Sequence, residues 1–200
     1  MTKSVCVISL SNIAADSRVL RQIEYLSRDH VVVVIGYGKP SQQFSGNSAI
    51  IWKEIPLPGF GLLKSFVKLI ARLVQVPLVP KTNPAYRLAL ESKCDVYHAN
   101  NWDSLPMAAL AARANGAKLV LDLHESFDSW YWGLSSGLVK FVLRKYSPSV
   151  DRSTTVVGNL VEQHRQFGLA PVIIRNIPAI PSQSTTLKIT DKEKIHLIHH

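Results

Sequence analysis

Short runs of β-branched and other apolar residues alternate along this chain with segments in which apolar residues recur every three or four positions. The first pattern is typical of strands buried on both faces of a sheet, and the second of amphipathic helices. Strands are predicted at Ser4–Leu10, Val31–Gly36, Ala49–Ile55, Val96–Asn100, Lys118–Leu123, Thr154–Val157 and Val172–Ile174. Helices are predicted at Asp16–Ser27, Leu62–Val76, Pro84–Glu91, Ser104–Asn115, Leu134–Tyr146 and Asn159–Phe167. This alternation predicts an α/β fold, a Rossmann-like open and mostly parallel sheet with helices on both faces.

Two helix ends and the carboxyl-terminal region add detail to this prediction. Asn159 followed by Glu162 has the spacing of a capping box, and Gly116 and Gly168 are placed to end helices. Residues 176–194 are rich in Pro, Ser and Thr, which is the composition of a linker, and residues 195–200 have the apolar start of a strand. We therefore predict one domain over residues 1–175, a linker, and the first strand of a second α/β domain. A tail without a fold is the alternative.

Composition narrows the class of protein. Hydrophobic residues make up 46% of the 200 residues and charged residues 18%, which excludes a disordered or fibrous chain. Two cysteines are too few for a disulfide framework, and neither a signal-peptide pattern nor an apolar run of membrane-spanning length is present. The expected location is cytoplasmic, or peripheral on the inner face of the membrane. A formal net charge of +9 favours an acidic partner.

Polar side chains gather where strands are predicted to end, which is where open α/β sheets bind ligands. Asn12, Asp16 and Arg18 follow the first strand, although without a Gly-rich phosphate-binding motif. Asp16 or Ser17 could instead simply cap the following helix. His98 and the segment Asn101-Trp102-Asp103 belong to the fourth strand and its end, and His124-Glu125 follows the fifth. His98, His124 and Glu125 could converge, but their spacing is not that of metal ligands, so no metal is predicted.

One predicted helix, Leu62–Val76, combines a wide apolar face with a narrow basic stripe of Lys64, Lys68 and Arg72. This is the composition of a helix that lies on an anionic membrane surface, but also of an ordinary helix packed on a sheet with a solvated edge. Trp130-Tyr131-Trp132 and the basic helix that follows are a second candidate for membrane contact. No nucleic-acid-binding module is visible, so nucleic acid is not an expected partner.

Taken together, these elements resemble the amino-terminal domain of family 4 glycosyltransferases of the GT-B fold, over nearly the whole chain. The resemblance rests on segments that occur in the family's order: Asp16-Ser17-Arg18-Val19-Leu20, residues 95–103, Leu121-Asp122-Leu123-His124-Glu125, residues 151–157 and Arg175-Asn176-Ile177-Pro178. It implies two Rossmann-like domains facing each other across a cleft. The amino-terminal domain would bind a glycan or lipid-linked acceptor, and a UDP- or GDP-sugar donor would bind mainly to the other domain.

The resemblance also implies roles for particular residues. His124 would hydrogen-bond the transferred sugar or its phosphate, and together with Glu125 it is assigned to catalysis. Asn12, Asp16 and Arg18 would line the acceptor or diphosphate side, and Asn101, Trp102 and Asp103 the acceptor pocket. The candidate substrate-binding residues are completed by His98, Arg175 and Asn176. Transfer would retain the anomeric configuration and need neither metal nor cofactor.

Two other functions remain open at this stage. Nucleotide-sugar 2-epimerases share the GT-B fold, although they have no need of a basic apolar helix such as Leu62–Val76. The chain could also be a sugar-binding or partner-binding module without catalytic activity.

Overall fold

The computed structural model describes residues 2–56, 67, 74–125, 134–175 and 177. The strands are β1 (Ser4–Asn12), β2 (Val31–Tyr37), β3 (Ile50–Glu54), β4 (Val96–Asn100), β5 (Lys118–Asp122), β6 (Arg152–Thr155) and β7 (Val172–Ile173). The α-helices are α1 (Ser17–Leu26), α2 (Pro84–Ser92), α3 (Leu105–Asn115), α4 (Leu134–Tyr146) and α5 (Gly158–Arg165). Short 3-10 helices occupy Ile13–Ala15, Gln42–Phe44, Pro80–Thr82 and Ser147–Ser149.

Several predictions fall outside the described residues. They are most of the helix Leu62–Val76 with its basic stripe Lys64, Lys68 and Arg72, the aromatic segment 130–132, Asn176, nearly all of the linker 176–194 and the strand 195–200. The domain boundaries therefore stay predictions.

The seven strands form one sheet in the order β3-β2-β1-β4-β5-β6-β7, and all six pairings are parallel. The predicted Rossmann-like α/β fold is confirmed. The chain first proceeds from β1 towards β3 and then crosses to β4, on the other side of β1. The loops after β1 and β4 consequently diverge, and this divergence creates the crevice in which open α/β sheets bind ligands.

The central strands β1 and β2 are buried on both faces because each face of the sheet carries its own hydrophobic core. On one face, Val5 and Val7 of β1 and Val32 and Val34 of β2 pack with residues of α1. On the other face, alternate residues of the same strands pack with α2, α3 and α4. The almost entirely apolar α3 is buried along most of its length, which is possible because α2 and α4 flank it.

The predicted limits of the sixth strand and of the helix that follows it are wrong. The prediction placed a strand at Thr154–Val157, whereas β6 spans Arg152–Thr155, because its pairing with β5 stops where β5 ends, at Asp122. Val157 is instead the N-cap residue of α5, so this helix begins at Gly158. The predicted capping box of Asn159 and Glu162 is absent, since Asn159 already lies within the helix and no side chain caps it.

The close approach of β2 to the loop after β1 generates a stability prediction at Gly36. A Cβ atom there would lie 2.8 Å from the backbone oxygen of Ser9 and would also collide with the end of the Ile13 side chain. We expect Gly36→Ala to lower the free energy of unfolding by about 1–3 kcal/mol, measured by urea denaturation.

Gly137→Ala is the matched control for this substitution. Gly137 lies within α4, and an added Cβ there meets no atom within 4 Å. Its replacement should raise the free energy of unfolding by about 0.5–1 kcal/mol, because alanine favours the helix. If both variants changed stability equally, close packing at Gly36 would be excluded as the cause.

Candidate functional site

Strand register places polar residues from four neighbouring strands in one row across the sheet. Ser9 of β1 pairs with Asn100 of β4, Asn100 with Asp122 of β5, and Asp122 with Thr154 of β6. Ser9 follows Val5 and Val7 in the alternation of β1, so this row lies on the face of the sheet that α1 covers. The row runs along the carboxyl edge of the sheet, beside the crevice between β1 and β4.

Side chains of helix α1 form hydrogen bonds with the buried polar groups of this row. Arg18 donates two hydrogen bonds to the Asp122 carboxylate, from Nε to Oδ2 at 2.8 Å and from Nη2 to Oδ1 at 2.7 Å. One helical turn later, Gln22 accepts a hydrogen bond from Asn100 Nδ2 at 3.1 Å. The first turns of α1 are thus attached to β4 and β5, 78 and 104 residues further along the chain.

Asp122 is fully buried and is the centre of these contacts. Besides Arg18, Thr154 donates a hydrogen bond from Oγ1 to Asp122 Oδ1 at 2.7 Å. Burial alone would raise the pKa of Asp122, but the contacts with His124, Arg18 and Thr154 outweigh burial and hold this pKa well below its ordinary value. The carboxylate is therefore charged at every physiological pH.

The predicted catalytic residues His124 and Glu125 lie just beyond the end of β5. His124 Nδ1 lies 3.5 Å from Asp122 Oδ2, so the carboxylate orients this edge of the ring and favours a proton on Nδ1. The His124 side chain is 24% exposed and can be reached by a ligand. Glu125 accepts a hydrogen bond from Asn101 Nδ2 at 2.8 Å, which joins the ends of β4 and β5.

Asn101 adopts a left-handed backbone conformation with a φ of 71°, which Asn tolerates better than most residues. Its backbone N–H donates to the Asp122 carbonyl oxygen at 2.8 Å, and its side-chain oxygen accepts from the Trp102 N–H at 2.8 Å. These contacts, together with the hydrogen bond from Ser104 Oγ to the Asn101 carbonyl oxygen at 3.1 Å, hold the turn between β4 and α3 against the end of β5. The structure brings together Arg18, Asn101, His124 and Glu125 of the predicted site.

The loop after β1 has a different arrangement. Asp16 caps α1, since its side chain accepts from the Val19 N–H at 3.2 Å and from Ser11 Oγ at 3.2 Å. The capping role considered for Asp16 is therefore observed. Asn12 is exposed, and its side chain lies against Gly38, where a Cβ atom would come within 2.5 Å of Asn12 Oδ1.

Trp102 and Asp103, predicted to line an acceptor pocket, are 3% and 4% exposed. Trp102 belongs to the core beneath α2, α3 and α4. The two residues shortly precede α3, whereas Asn101 and Glu125 at the same edge are half-buried.

Arg18, His98 and Arg175 line a separate cavity of about 560 Å³ beside α1, below the carboxyl edge. Since Gln22 Oε1 accepts from Asn100, its Nε2 donates to His98 Nε2 at 3.1 Å, which places the neutral ring's proton on Nδ1. Burial lowers the pKa of His98 to about 4. Arg18 thus forms a wall shared by this cavity and the edge.

Sequence reasoning did not assign Asp122, Gln22 or Thr154 to the site. Asp122 directly follows the apolar residues Leu119, Val120 and Leu121 of β5. A carboxylate at the end of such a strand is expected to be buried and therefore to need a cation as its partner. Gln22 and Thr154 carry no comparable signal, because their contribution depends on strand register.

The described part of the chain has no group of three or more His, Cys, Asp or Glu side chains that could hold a metal ion. Among the helices in these same residues, none is long and apolar enough to span a bilayer.

Comparison with known families matches residues 16–179 to the family described as Glycosyltransferase Family 4. Comparison with curated proteins gives no match.

Comparison with solved structures shows what fold the chain shares. Glycyrrhiza uralensis UGT73P12, in complex with glycyrrhetinic acid 3-O-monoglucuronide, has a TM-score of 0.58 and 13% identity over 88% of this chain and 49% of its own. Anabaena Alr3699/HepE in complex with UDP-glucose has a TM-score of 0.57 and 10% identity, over 87% and 44%. The lipopolysaccharide outer core galactosyltransferase WaaB has a TM-score of 0.51 and 12% identity, over 90% and 47%. The chain therefore spans about half the length of these proteins.

The buried ion pair generates a test of stability. We expect Arg18→Met to lower the free energy of unfolding by about 3–5 kcal/mol, because it leaves the Asp122 carboxylate buried without its cation. Lys118→Met is the matched control, since Lys118 contacts Asp151 at the same 2.7 Å but is 73% exposed. The control should cost less than about 1 kcal/mol in urea denaturation. Equal losses would show that Asp122 does not depend on Arg18.

The buried histidines generate a test of pH dependence. Burial lowers the pKa of both His98 and His164 to about 4, whereas an unfolded histidine titrates near ~6.5. Between these values the unfolded chain binds more protons, so the free energy of unfolding should fall by up to about 1.4 kcal/mol per pH unit for each histidine as the pH decreases. Guanidinium denaturation across this range measures the slope. His98→Gln should reduce this slope, and an equal slope in the variant and the unmodified protein would contradict the assignment.

Proposed function

The chain belongs to glycosyltransferase family 4, and we propose that it is the acceptor-binding half of an enzyme that transfers a sugar from a nucleotide-sugar donor to a glycan or lipid-linked acceptor. The observation that carries the proposal is the arrangement of Arg18, Asp122 and His124 at the carboxyl edge of the sheet, beside the crevice between β1 and β4. In this arrangement the partly exposed imidazole of His124 lies beside the charged carboxylate of Asp122. Both lie at the carboxyl edge of the sheet, where open α/β sheets bind ligands.

The chemistry of transfer suits this arrangement. The bond between the anomeric carbon and the phosphate oxygen of the donor breaks, and a bond from the anomeric carbon to a hydroxyl oxygen of the acceptor forms. Negative charge develops on the leaving diphosphate, which takes up the proton of that hydroxyl. A neutral His124 with its proton on Nδ1 can accept a hydrogen bond from a sugar hydroxyl through Nε2, and a protonated ring can donate one to a phosphate oxygen. The same ring can therefore serve a contact with the sugar or one with the phosphate.

The finer features of the proposal follow from the family resemblance. The donor is a UDP- or GDP-sugar bound mainly by a second domain, transfer retains the anomeric configuration, and neither a metal nor a cofactor takes part. Glu125 acts beside His124, and Asn12, Asp16 and Asn101 line the acceptor side. Arg175 and Asn176 lie where the chain would pass towards the second domain.

An anionic membrane surface is the third proposed partner, besides the donor and the acceptor. The sequence motivates it through Lys64, Lys68 and Arg72, which lie outside the described residues. The high net charge of +9 is compatible with such a surface.

Assays of donor hydrolysis and sugar transfer with a panel of UDP- and GDP-sugars test the proposed activity. The whole protein that contains this chain should transfer a sugar, while residues 1–200 alone should not, because one half of a two-domain cleft cannot position both substrates. Epimerisation of the donor without transfer would favour the 2-epimerase reading, and the absence of any reaction would favour a binding module.

We expect His124→Ala in the whole protein to lower kcat by about a hundredfold and to change the KM for the acceptor much less, because the ring stabilises charge that develops during transfer. His30→Ala is the control, since His30 precedes β2 at the opposite edge of the sheet. Steady-state kinetics measure both variants. An unchanged kcat for His124→Ala would leave this histidine with a purely structural role.

A further inference from the structure

A second cavity, of about 690 Å³, lies on the side of the molecule opposite α1. The 3-10 helix Pro80–Thr82, the middle of α3 and the end of α4 form its walls. Its lining combines apolar residues with basic ones: Leu78, Val79, Leu110 and Tyr146 on one hand, Lys81, Arg113 and Lys145 on the other. None of the residues assigned to the candidate functional site contributes to this cavity.

Large apolar side chains beside the cavity are exposed to solvent. Leu78 is 62% exposed, Val79 46%, and Phe141 on the neighbouring face of α4 44%. Isolated exposed apolar residues are ordinary, but a group of them around one cavity marks a surface that another molecule covers.

The described segments that form the cavity carry charge of only one sign. Residues 74–82, 105–115 and 134–149 contain Lys81, Arg113, Lys140, Arg144 and Lys145 and no Asp or Glu. Within the described ranges, none of these five cations forms a salt bridge. Lys145 Nζ instead lies 5.5 Å from the centre of the Phe141 ring and 5.3 Å from that of Tyr146. Cations placed among exposed apolar groups are therefore available to an anionic partner.

We propose that this basic-apolar surface, formed by Leu78, Val79, Lys81, Arg113, Phe141 and Lys145, docks the protein on an anionic lipid bilayer. A bilayer offers apolar chains directly beneath a layer of phosphates, which matches exposed Leu78 and Phe141 next to Lys81 and Lys145. A soluble phosphate would satisfy only the cations, and an apolar protein partner only the exposed side chains. The inference rests on the membrane partner of the proposed function and gives it a location in the described structure.

The position of the surface bears on the orientation of the candidate site. Helix α3 begins four residues after Asn101 at the carboxyl edge, and Arg113 in its last turn lines the cavity. One helix, buried along most of its length, thus links the edge to the docking surface, so docking would hold the edge at a fixed orientation to the bilayer.

Co-sedimentation with phosphatidylcholine vesicles, prepared with and without phosphatidylglycerol, tests the proposal on the whole protein. The protein should bind only the vesicles with phosphatidylglycerol, and salt should release it. Replacing Lys81, Arg113 and Lys145 together by Gln should weaken binding about a hundredfold, since each cation contributes about fivefold. Leu78→Ser should also weaken binding, in the presence of all cations.

The control removes the same charge elsewhere. Lys3, Arg28 and Lys39 are exposed and do not line the cavity, so their joint replacement by Gln should reduce binding far less. Circular dichroism establishes that both triple variants remain folded. An equal loss in both would mean that binding depends on net charge alone, and would overturn the proposal.

Three further outcomes separate this proposal from the proposed function. If the Lys64, Lys68 and Arg72 triple Gln variant loses binding while the cavity variant keeps it, the docking surface is wrong but the membrane partner stands. If the unmodified protein binds no vesicles, both membrane proposals fail, whereas sugar transfer to a soluble acceptor would still support the proposed activity. Binding of RNA in place of vesicles would overturn the docking proposal in favour of a nucleic-acid partner.

Discussion

The Asp122 carboxylate is buried at the end of β5, and the free-energy cost of removing this charge from water determines the arrangement of the residues around it. A buried charge without partners destabilises a protein by several kcal/mol, so Asp122 requires both a cation and further hydrogen bonds. Arg18 and Thr154 supply them from α1 and β6, which are attached in this way to β5. The same carboxylate faces His124, so the interaction that fixes α1 on the sheet also orients the candidate catalytic ring.

Such a polar row is costly in a sheet that is otherwise apolar on both faces. Asn100 and Asp122 are buried, so each needs hydrogen-bonding partners that an apolar residue would not require. Proteins depart from consistent apolar packing mainly where function requires it. The departure here coincides with the crevice between β1 and β4, and we take this coincidence as the physical reason to place the site at this edge.

The sequence predicts the sheet well because strands buried on both faces leave uninterrupted apolar runs, as in Val31–Tyr37 and in residues 5–8 of β1. It also predicts that Arg18, Asn101 and His124 lie at the carboxyl edge, since chain order alone places them after strands. It does not predict the limits of β6, which its neighbour β5 determines, nor the pairing of Arg18 with Asp122 across 104 residues. Trp102 could not be recognised as a core residue either, because its neighbours in the sequence are polar.

The two faces of the sheet differ in what lies outside them. On one face α1 covers the polar row, and the residues that bear the proposed chemistry meet at its carboxyl end. On the other face, the outer surface formed by α3, α4 and residues 74–82 has cations and exposed apolar side chains but no acid. A bilayer held against this second surface would leave the crevice between β1 and β4 uncovered. The proposed docking and the proposed chemistry would thus use opposite faces of the same sheet.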